Sequence, residues 1–313
     1  MKNFKKKKKI QAKQEWQEWL EHINKHIKLE PTQILFYEKP MIKQFKASIV
    51  AINHKLNAVV LDKTAFYAES GGQIADTGII SNGKTTAKVV DVKKYNNVIV
   101  HFVNSTEGLT QHDEVNCSID ADRRLSIMKH HTSVHIINYA CRQVLGNHVW
   151  QTGSAVSDEK ASLDITHYKP LSKDEVRKIE ELANQVVFEG RKVTARFMDR
   201  SEAEAKYGLR LYQGGVPPGR TIRVVEVEGW DVEACFGTHV TNTREVGVIK
   251  IINVDRIQDG VVRLEYTVAE NALKHVWNLE DTLESIAAKI GASPKDALLR
   301  MEKFVEEYKA IKN

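Results

Sequence analysis

The chain has 313 residues, of which 42% are hydrophobic and 28% are charged, so disorder along the whole chain is excluded. No apolar run reaches the roughly 18 to 20 residues of a membrane span, and no apolar stretch follows the basic N-terminus as a signal peptide requires. Three cysteines cannot form a fully paired disulfide framework. We therefore expect a cytoplasmic protein of about two domains.

The net charge of +5 is concentrated at the N-terminus. Residues 1–28 carry nine lysines and three glutamates, a sum of +6 that leaves −1 for the rest of the chain. The run Lys5–Lys9 could neutralise the phosphates of a nucleic acid without reading its sequence. It could equally serve only solubility, and the sequence leaves both interpretations open.

An apolar stripe after the lysines predicts one amphipathic helix. Its members follow a 4-3-4 spacing: Trp16, Leu20, Ile23 and Ile27. A lone helix of this length is marginal in water, so we expect the stripe to dock on the body of the protein or on a partner.

Short β-rich runs between Asn, Gly and Asp turns then predict a small barrel from about residue 33 to 120. Its predicted strands are residues 45–51, 59–61, 89–90, 98–100 and 115–119.

Helices that alternate with strands indicate an α+β domain at residues 121–270. The first helix runs over 123–145, Ser172 with Glu175 forms a capping box, and the pair Asp199 and Glu202 begins a shorter helix. The predicted strands are residues 193–197, 222–227, 248–254 and 261–268. Residues 271–313 are predicted to be helical, with Ser293 capping the last helix.

Two pairs of possible metal ligands share a four-residue spacing. His131 and His135 lie in the predicted helix, where positions i and i+4 share a face and can reach one ion. Cys235 and His239 repeat that offset beside a glycine. Three imidazoles and a thiolate suit tetrahedral zinc, and the alternative is a set of histidines that bind no metal. The glutamate of an HExxH metalloprotease is absent, which disfavours a peptidase.

Three neighbouring residues are left out of the ligand set. His130 points about 100° away from the His131 face of the helix. Cys141 lies off the ligand face of the same helix, and Cys117 lies in a predicted strand. We expect both thiols to be buried and structural.

The segment TAFYAESGGQIADTG, residues 64–78, is a second cluster of interest. Gly71 and Gly72 permit close approach of a ligand to the backbone, and Gln73 follows them. A barrel turn would use the same glycines, so both interpretations stay open. A second Gly/Pro segment, residues 210–220, has the same ambiguity.

In order along the chain, these motifs resemble the editing region of alanyl-tRNA synthetases, the archaeal type in particular. The matching segments are TAFYAESGGQIADTG, RRLSIMKHHTSVHIINYACRQVLGNHVWQTGS, LDITHYK, EAEAKYGLRLYQGGVPPGR, GWDVEACFGTHV and NTREVGVIKIINVDRIQDGVVRLE. The likeness covers about residues 33–313 and extends beyond the part shared with free-standing editing proteins.

The elements and the resemblance together predict an α+β protein. A small β-barrel is followed by an α+β zinc-containing editing domain, with helical N- and C-terminal extensions. The expected domains are residues 1–32 (basic tail and helix), 33–120 (barrel with the Gly-rich motif), 121–270 (editing domain) and 271–313 (helical tail).

The resemblance also assigns roles to residues. The zinc ligands of the family correspond to His131, His135, Cys235 and His239. Gln151 matches a glutamine of the editing pocket, and Thr152 matches a threonine with which free-standing relatives recognise a serine hydroxyl. Gly71, Gly72 and Gln73 match the Gly-rich motif implicated in editing.

The sequence departs from the family at two positions near the zinc ligands. Phe236 replaces the first glycine of the family's CGGTH motif, and Val134 replaces a threonine between the zinc histidines. Both changes bear on the selectivity of the site.

The function implied is zinc-dependent hydrolysis of serine or glycine from mischarged tRNA(Ala). A synthetic pocket cannot strongly reject a smaller side chain or an extra hydroxyl, so a second site is needed. The zinc could be catalytic or structural, because four protein ligands make a closed site. The alternative function is a tRNA-binding and assembly subunit without hydrolysis.

The expected partners are tRNA(Ala) and a separate chain that carries the aminoacylation domain, with no membrane or DNA partner. The synthetic half of such an enzyme is too large to precede residue 33. A free-standing editor and an excised fragment are the alternatives. If a second chain binds, the stripe that begins at Trp16 is its candidate docking face, unless that helix packs on the barrel.

Overall fold

A computed structural model describes residues 15–25 and 29–312. Residues 33–119 hold eight strands: β1 (Gln33–Ile34), β2 (Gln44–Asn53), β3 (Ala58–Leu61), β4 (Lys63–Thr64), β5 (Gly78–Ser81), β6 (Thr86–Tyr95), β7 (Val98–Val103) and β8 (Glu114–Ile119). Six of them close into an antiparallel barrel in the order β2–β3–β7–β6–β5–β8, and β1 pairs in parallel with β4. The small barrel predicted from the sequence is confirmed.

The barrel has two apolar surfaces because successive side chains of a strand point to opposite faces. Phe45, Ala47 and Ile49 of β2 point inward and pack in the barrel core. Val60 of β3 and Val100 of β7 belong to a different cluster on the outer face. That outer cluster therefore needs a cover from elsewhere in the chain.

The cover is the N-terminal helix α1, residues 15–25. Trp16 and Leu20 are only 6% and 3% exposed in the cluster that they share with the outer face of the barrel. The expectation that these two side chains dock a separate chain is therefore wrong, because the barrel covers them. Ile27 and the lysine run Lys5–Lys9 lie outside the described residues.

The second half of the chain is built around one long buried helix. The helices are α2 (Ala121–Leu145), α3 (Lys173–Glu189) and α4 (Arg200–Tyr207). The strands are β9 (Gln151–Val156), β10 (Ala161–Thr166), β11 (Val193–Asp199), β12 (Thr221–Val227), β13 (Asp231–Ala234), β14 (Ile249–Gln258) and β15 (Val261–Val268). They form one four-stranded sheet, β14–β15–β10–β9, and one three-stranded sheet, β11–β12–β13. The prediction of mixed α and β structure after the barrel is confirmed.

The helix boundaries follow their caps. Asp120 accepts a hydrogen bond from the Arg123 N–H at the start of α2. Ser172 and Glu175 form the predicted capping box of α3. Cys117 in β8 and Cys141 in α2 are both buried, as expected.

Two helices end the described chain, α5 (Ala269–Lys289) and α6 (Ala297–Lys312). The predicted cap at Ser293 is wrong, because the helix begins at Ala297 and the Ser293 hydroxyl instead donates to Asp296 Oδ2 at 2.6 Å in the preceding turn. No described helix has the length and apolarity needed to cross a bilayer. The domain boundaries at 32, 120 and 270 stay predictions.

Candidate metal centre and adjoining cleft

The four predicted metal ligands converge on one point. His131 and His135 share a face of α2, and Cys235 and His239 lie in the loop after β13. One ligand atom of each residue lies within 4.8 Å of all the others. His130 stays apart, because its Nδ1 lies 2.8 Å from the Ser126 carbonyl oxygen.

The distances inside this centre fit zinc. Zn–S and Zn–N bonds of about 2.3 and 2.1 Å in a tetrahedron place sulfur and nitrogen roughly 3.6 Å apart. Cys235 Sγ lies 3.4 Å from His131 Nε2 and 3.3 Å from His239 Nε2. One thiolate and three imidazoles are also a donor set that zinc prefers. The residues therefore fit a zinc ion.

The second nitrogen of each histidine faces a polar side chain. His131 Nδ1 lies 2.7 Å from Gln73 Oε1, and His239 Nδ1 lies 3.2 Å from Thr132 Oγ1. Such contacts fix the orientation of a ligand ring and leave its other nitrogen for the metal. Gln73 is fully buried and also binds Thr238, accepting from its N–H at 2.9 Å and donating to its hydroxyl at 2.9 Å.

His135 faces a pair of buried carboxyl groups. Its Nδ1 lies 3.5 Å from Glu233 Oε2 and 3.8 Å from Asp231 Oδ2, which leaves its Nε2 for the centre. Burial raises the pKa of Glu233 to about 7. Burial and then the charge of Glu233 raise the pKa of Asp231 well above its usual range. Asn138 donates to Glu233 Oε1 at 2.7 Å and holds that carboxyl in place.

The protonation states suit metal binding, which needs neutral imidazoles and a thiolate. Burial lowers the pKa of His131 to about 3 and lowers that of His239 as well. Burial by itself raises the pKa of the Cys235 thiol, but the His135 ring, a backbone amide and a nearby arginine bring it below its usual value. At neutral pH the two histidines are therefore neutral.

The ligand loop after β13 is held by Arg223, which sequence reasoning missed, and it packs against His131 at the glycine that the sequence places beside the ligands. Arg223 Nη1 donates to the carbonyl oxygens of Cys235 and Gly237, at 2.9 and 2.8 Å. A Cβ at Gly237 would lie 1.9 Å from the His131 ring, so only glycine fits there. The glycine of CFGTH was a sequence signal for this contact, whereas Arg223 had none.

The Gly-rich turn joins the barrel to the second half of the chain. Gly72 has a φ of +83°, and a Cβ there would lie 2.3 Å from the Ser154 carbonyl oxygen. Its own carbonyl accepts from the Val156 N–H at 2.8 Å, so the turn docks on β9. This docking carries Gln73 to His131. Gly71 also has a positive φ, but its Cβ position is open.

A cleft of about 1040 Å³ opens beside the centre, between the barrel and the second half of the chain. Gly71, Gly72 and Gln151 line it, together with His131, His135 and Cys235. Gln73 and His239 lie behind these residues and do not line it. Val134 and Phe236, the two departures from the family pattern, both line the cleft.

Gln151 and Thr152 face different surroundings although they are neighbours on β9. Gln151 lines the cleft, and its Oε1 is buried without a hydrogen-bond partner among the described residues. Thr152 is exposed, donates to the Asp164 carbonyl oxygen at 3.3 Å, and is absent from the cleft lining as described. The structure thus brings Gln151, but not Thr152, to the cleft.

The second Gly/Pro segment forms one rim of the cleft, from Gln213 to Gly219. Gln213 Oε1 accepts from the Gln151 N–H at 3.0 Å. Arg200 donates to the carbonyl oxygens of Pro217 and Gly219 and holds the far end of the rim. This Gly/Pro segment therefore lines the cleft in addition to forming a turn.

Two family models match the sequence. The model for tRNA synthetases class II (A) matches residues 1–123, and the model for the threonyl and alanyl tRNA synthetase second additional domain matches residues 222–265. The second match contains Cys235 and His239.

Curated relatives at high identity are named alanine–tRNA ligase. Those of Ignicoccus hospitalis, Sulfurisphaera tokodaii and Methanococcus aeolicus are 47%, 46% and 46% identical to this chain over 282 residues. Each comparison covers 90% of this chain but only 30–31% of the relative. The chain therefore spans about a third of the length of these relatives.

Proposed function

We propose, on the premise that this chain is a homologue of alanine–tRNA ligases over nine tenths of its length, that it performs the editing reaction of that family. The reaction is hydrolysis of the ester between serine or glycine and tRNA(Ala). The observation that carries the proposal is the cleft, which is lined by three of the four convergent metal donors and by Gln151, whose buried amide oxygen has no hydrogen-bond partner among the described residues. A cleft with a few convergent polar groups is the ordinary form of a small-molecule site.

In this reaction, water adds to the acyl carbon and the ester bond breaks. The amino acid leaves as a free acid, and the terminal ribose regains its hydroxyl. Zinc, when bound by His131, His135, Cys235 and His239, would polarise the ester carbonyl or only hold the shape of the pocket.

Gln151 is suited to recognise the amino acid. Its buried Oε1 has no hydrogen-bond partner among the described residues, and leaving such an acceptor unpaired costs about 1–3 kcal/mol. If the amide rotates to present this oxygen to the cleft, a serine hydroxyl or the ammonium group of the amino acid would satisfy it. Gln151 Nε2 donates to the Ser154 hydroxyl at 3.4 Å, and Gly214 leaves room for it, because a Cβ there would lie 2.8 Å from this nitrogen.

The alternative is a tRNA-binding and assembly subunit that does not hydrolyse. Val134 and Phe236 favour this alternative, because both line the cleft and both depart from the family pattern. Four protein ligands also leave zinc no open position.

Deacylation assays on the full chain separate these functions. We expect seryl- and glycyl-tRNA(Ala) to be hydrolysed much faster than alanyl-tRNA(Ala), with loss of activity on chelation and recovery with added zinc. Equal hydrolysis of all three substrates, or none of any, would remove the editing function and leave the alternative.

Variants of the two neighbours on β9 sharpen the assay. Gln151→Ala and Thr152→Val should each reduce the preference for seryl-tRNA over alanyl-tRNA while zinc content stays at one per chain. We expect the larger loss for Gln151, because it lines the cleft and Thr152 does not.

We further propose that aminoacylation is supplied by a polypeptide segment outside this sequence, with tRNA(Ala) as the shared partner. The support is that the relatives are about three times as long as the part matched here. A separate chain stays our prediction. Co-purification of the two chains, with and without tRNA, would test it.

A further inference from the structure

The wall of the cleft beside Cys235 is aromatic. Phe236 follows that ligand directly, and Tyr37 and Tyr67 line the cleft from the barrel side. The ring centroids of Tyr37 and Phe197 are 5.4 Å apart, and those of Phe197 and Phe236 are 6.4 Å apart. Phe197 is 50% exposed and supports this wall from outside the cleft, and Phe236 itself is partly exposed.

The backbone on both sides of Phe236 is held in place. The Tyr37 hydroxyl donates to the Phe236 carbonyl oxygen at 3.1 Å. Arg223 lies 5.0 Å from the centroid of the Tyr37 ring and donates to the carbonyl oxygens of Cys235 and Gly237. The aromatic wall is therefore fixed relative to the metal ligands, and a ligand would find it already formed.

The Phe236 ring is only partly buried, so one part of it is open to an occupant of the cleft. Phe236 stands one residue, about 3.8 Å along the backbone, from a metal ligand. The polar groups that suit an amino acid, Gln151 and the centre itself, line the same cleft. In an aminoacyl ester of RNA, only the ribose separates the acyl group from a flat nucleobase. An acyl group at the centre therefore places the base nearby, where a flat apolar surface can bind it.

We infer that Phe236, supported by Tyr37 and Phe197, is the surface on which the nucleobase of the esterified terminal nucleotide stacks. This inference rests on the proposed function, since it places the acyl group of the same substrate at the centre. Stacking on an aromatic side chain tolerates any base and strengthens binding by about 5- to 100-fold. Phe236 therefore supplies affinity and positions the ester.

The first test uses the unmodified chain and needs no editing activity. Two short RNA hairpins are compared, one ending in CCA and one in which the terminal nucleotide is abasic. We expect the first to bind at least about 5-fold more tightly. Equal affinity for the two hairpins would overturn the inference, whatever the deacylation assay shows.

Variants then locate the stacking surface. Phe236→Leu should bind both hairpins equally and raise KM for seryl-tRNA(Ala) more than it lowers kcat, whereas Phe236→Tyr should retain the base preference. Phe188→Leu is the matched control, because Phe188 is 62% exposed on α3 and does not line the cleft. Zinc content per chain reports whether each variant is folded.

The outcomes separate the two claims. If the unmodified chain deacylates and Phe236→Leu keeps the full base preference, the stacking role fails while editing stands. If the chain does not deacylate but binds the CCA hairpin through its terminal base and loses this in Phe236→Leu, editing fails while the stacking surface stands. If Phe236→Leu alone loses zinc, it is not properly folded. The base preference of Phe236→Tyr and the abasic comparison on the unmodified chain then test the stacking role.

Discussion

The barrel interior and the candidate metal centre both bury histidine, but they differ in what they do with its two nitrogens. In the barrel, His101 Nε2 lies 2.8 Å from the Thr64 hydroxyl and Nδ1 lies 3.2 Å from the Val59 carbonyl oxygen. In the centre, His131 and His239 each place Nδ1 on a side chain and turn Nε2 toward Cys235.

This difference separates a structural histidine from a candidate ligand. A core histidine with both nitrogens paired has nothing left to offer a metal. In the centre, each histidine turns one nitrogen toward the others, so several buried polar atoms face one another. Burying these atoms costs free energy unless an ion binds them. Burial alone does not distinguish the two cases, since all these rings are buried.

The largest expected effect is at the candidate metal centre. Cys235→Ala removes its only thiolate and should weaken zinc binding by more than about 100-fold, because losing a metal ligand weakens binding more than losing a hydrogen bond made to a ligand. Elemental analysis should find one zinc in the unmodified chain and little in the variant. A chelator should lower the melting temperature of the former only.

The matched control is His130→Asn, since His130 is a buried neighbour that contacts Ser126 and not the centre. It should keep one zinc per chain. A Cys235→Ala protein that bound zinc as tightly as the unmodified chain would show that the ligand set is wrong.

The second prediction concerns the barrel histidine. Burial lowers the pKa of His101 to about 4 from its ordinary value of 6.5. The unfolded chain therefore binds a proton below pH 6.5 that the folded chain binds only near pH 4. Stability from this group is complete above pH 6.5 and falls by about 3 kcal/mol as the pH drops to 4.

The measurement is the free energy of unfolding by denaturant from pH 7.5 to 4.5, compared between the unmodified chain and His101→Asn. Other groups titrate alike in both proteins, so the difference in slope isolates His101. Zinc content should be equal at neutral pH. If the two pH profiles run parallel, His101 does not stay neutral in the barrel.

Much of this comparison could be predicted from the sequence. The four-residue spacing placed His131 and His135 on one helix face, because helix geometry is local. The capping box at Ser172 and the alternation along β2 are local signals of the same kind. These predictions needed no knowledge of distant contacts.

The parts that sequence reasoning missed depend on contacts between distant residues. The segment QTGSAV was not predicted as a strand, because its glycine and small residues have low β-propensity; pairing with β10 and docking of Gly72 stabilise it. Arg223 looked like an ordinary strand residue until the ligand loop folded over it. Ser293 had the sequence of a helix cap but binds Asp296 within a turn.

The role of Gln73 was assigned by the resemblance, but its contacts were not foreseen. It comes from the barrel side and reaches a histidine of the other half of the chain. The contact between Gln73 and His131 is thus a bridge between the two halves of the chain. Through this bridge the barrel orients a candidate ligand without supplying a metal donor itself.

The smallest effect is expected at this bridge, and it tests whether the second nitrogen of a candidate ligand needs its partner. Gln73→Leu keeps an apolar stem but removes the acceptor for His131 Nδ1, and it should weaken zinc binding by about 10- to 100-fold. Gln73→Glu keeps an acceptor at the same reach and should bind zinc nearly as well as the unmodified chain. A competition titration against a chromophoric chelator measures both.

Because Gln73 also binds Thr238, the melting temperature of the zinc-free proteins shows how much of the loss is structural. If Gln73→Leu binds zinc with unchanged affinity, the pairing of Nδ1 is not what distinguishes the histidines of the centre from His101.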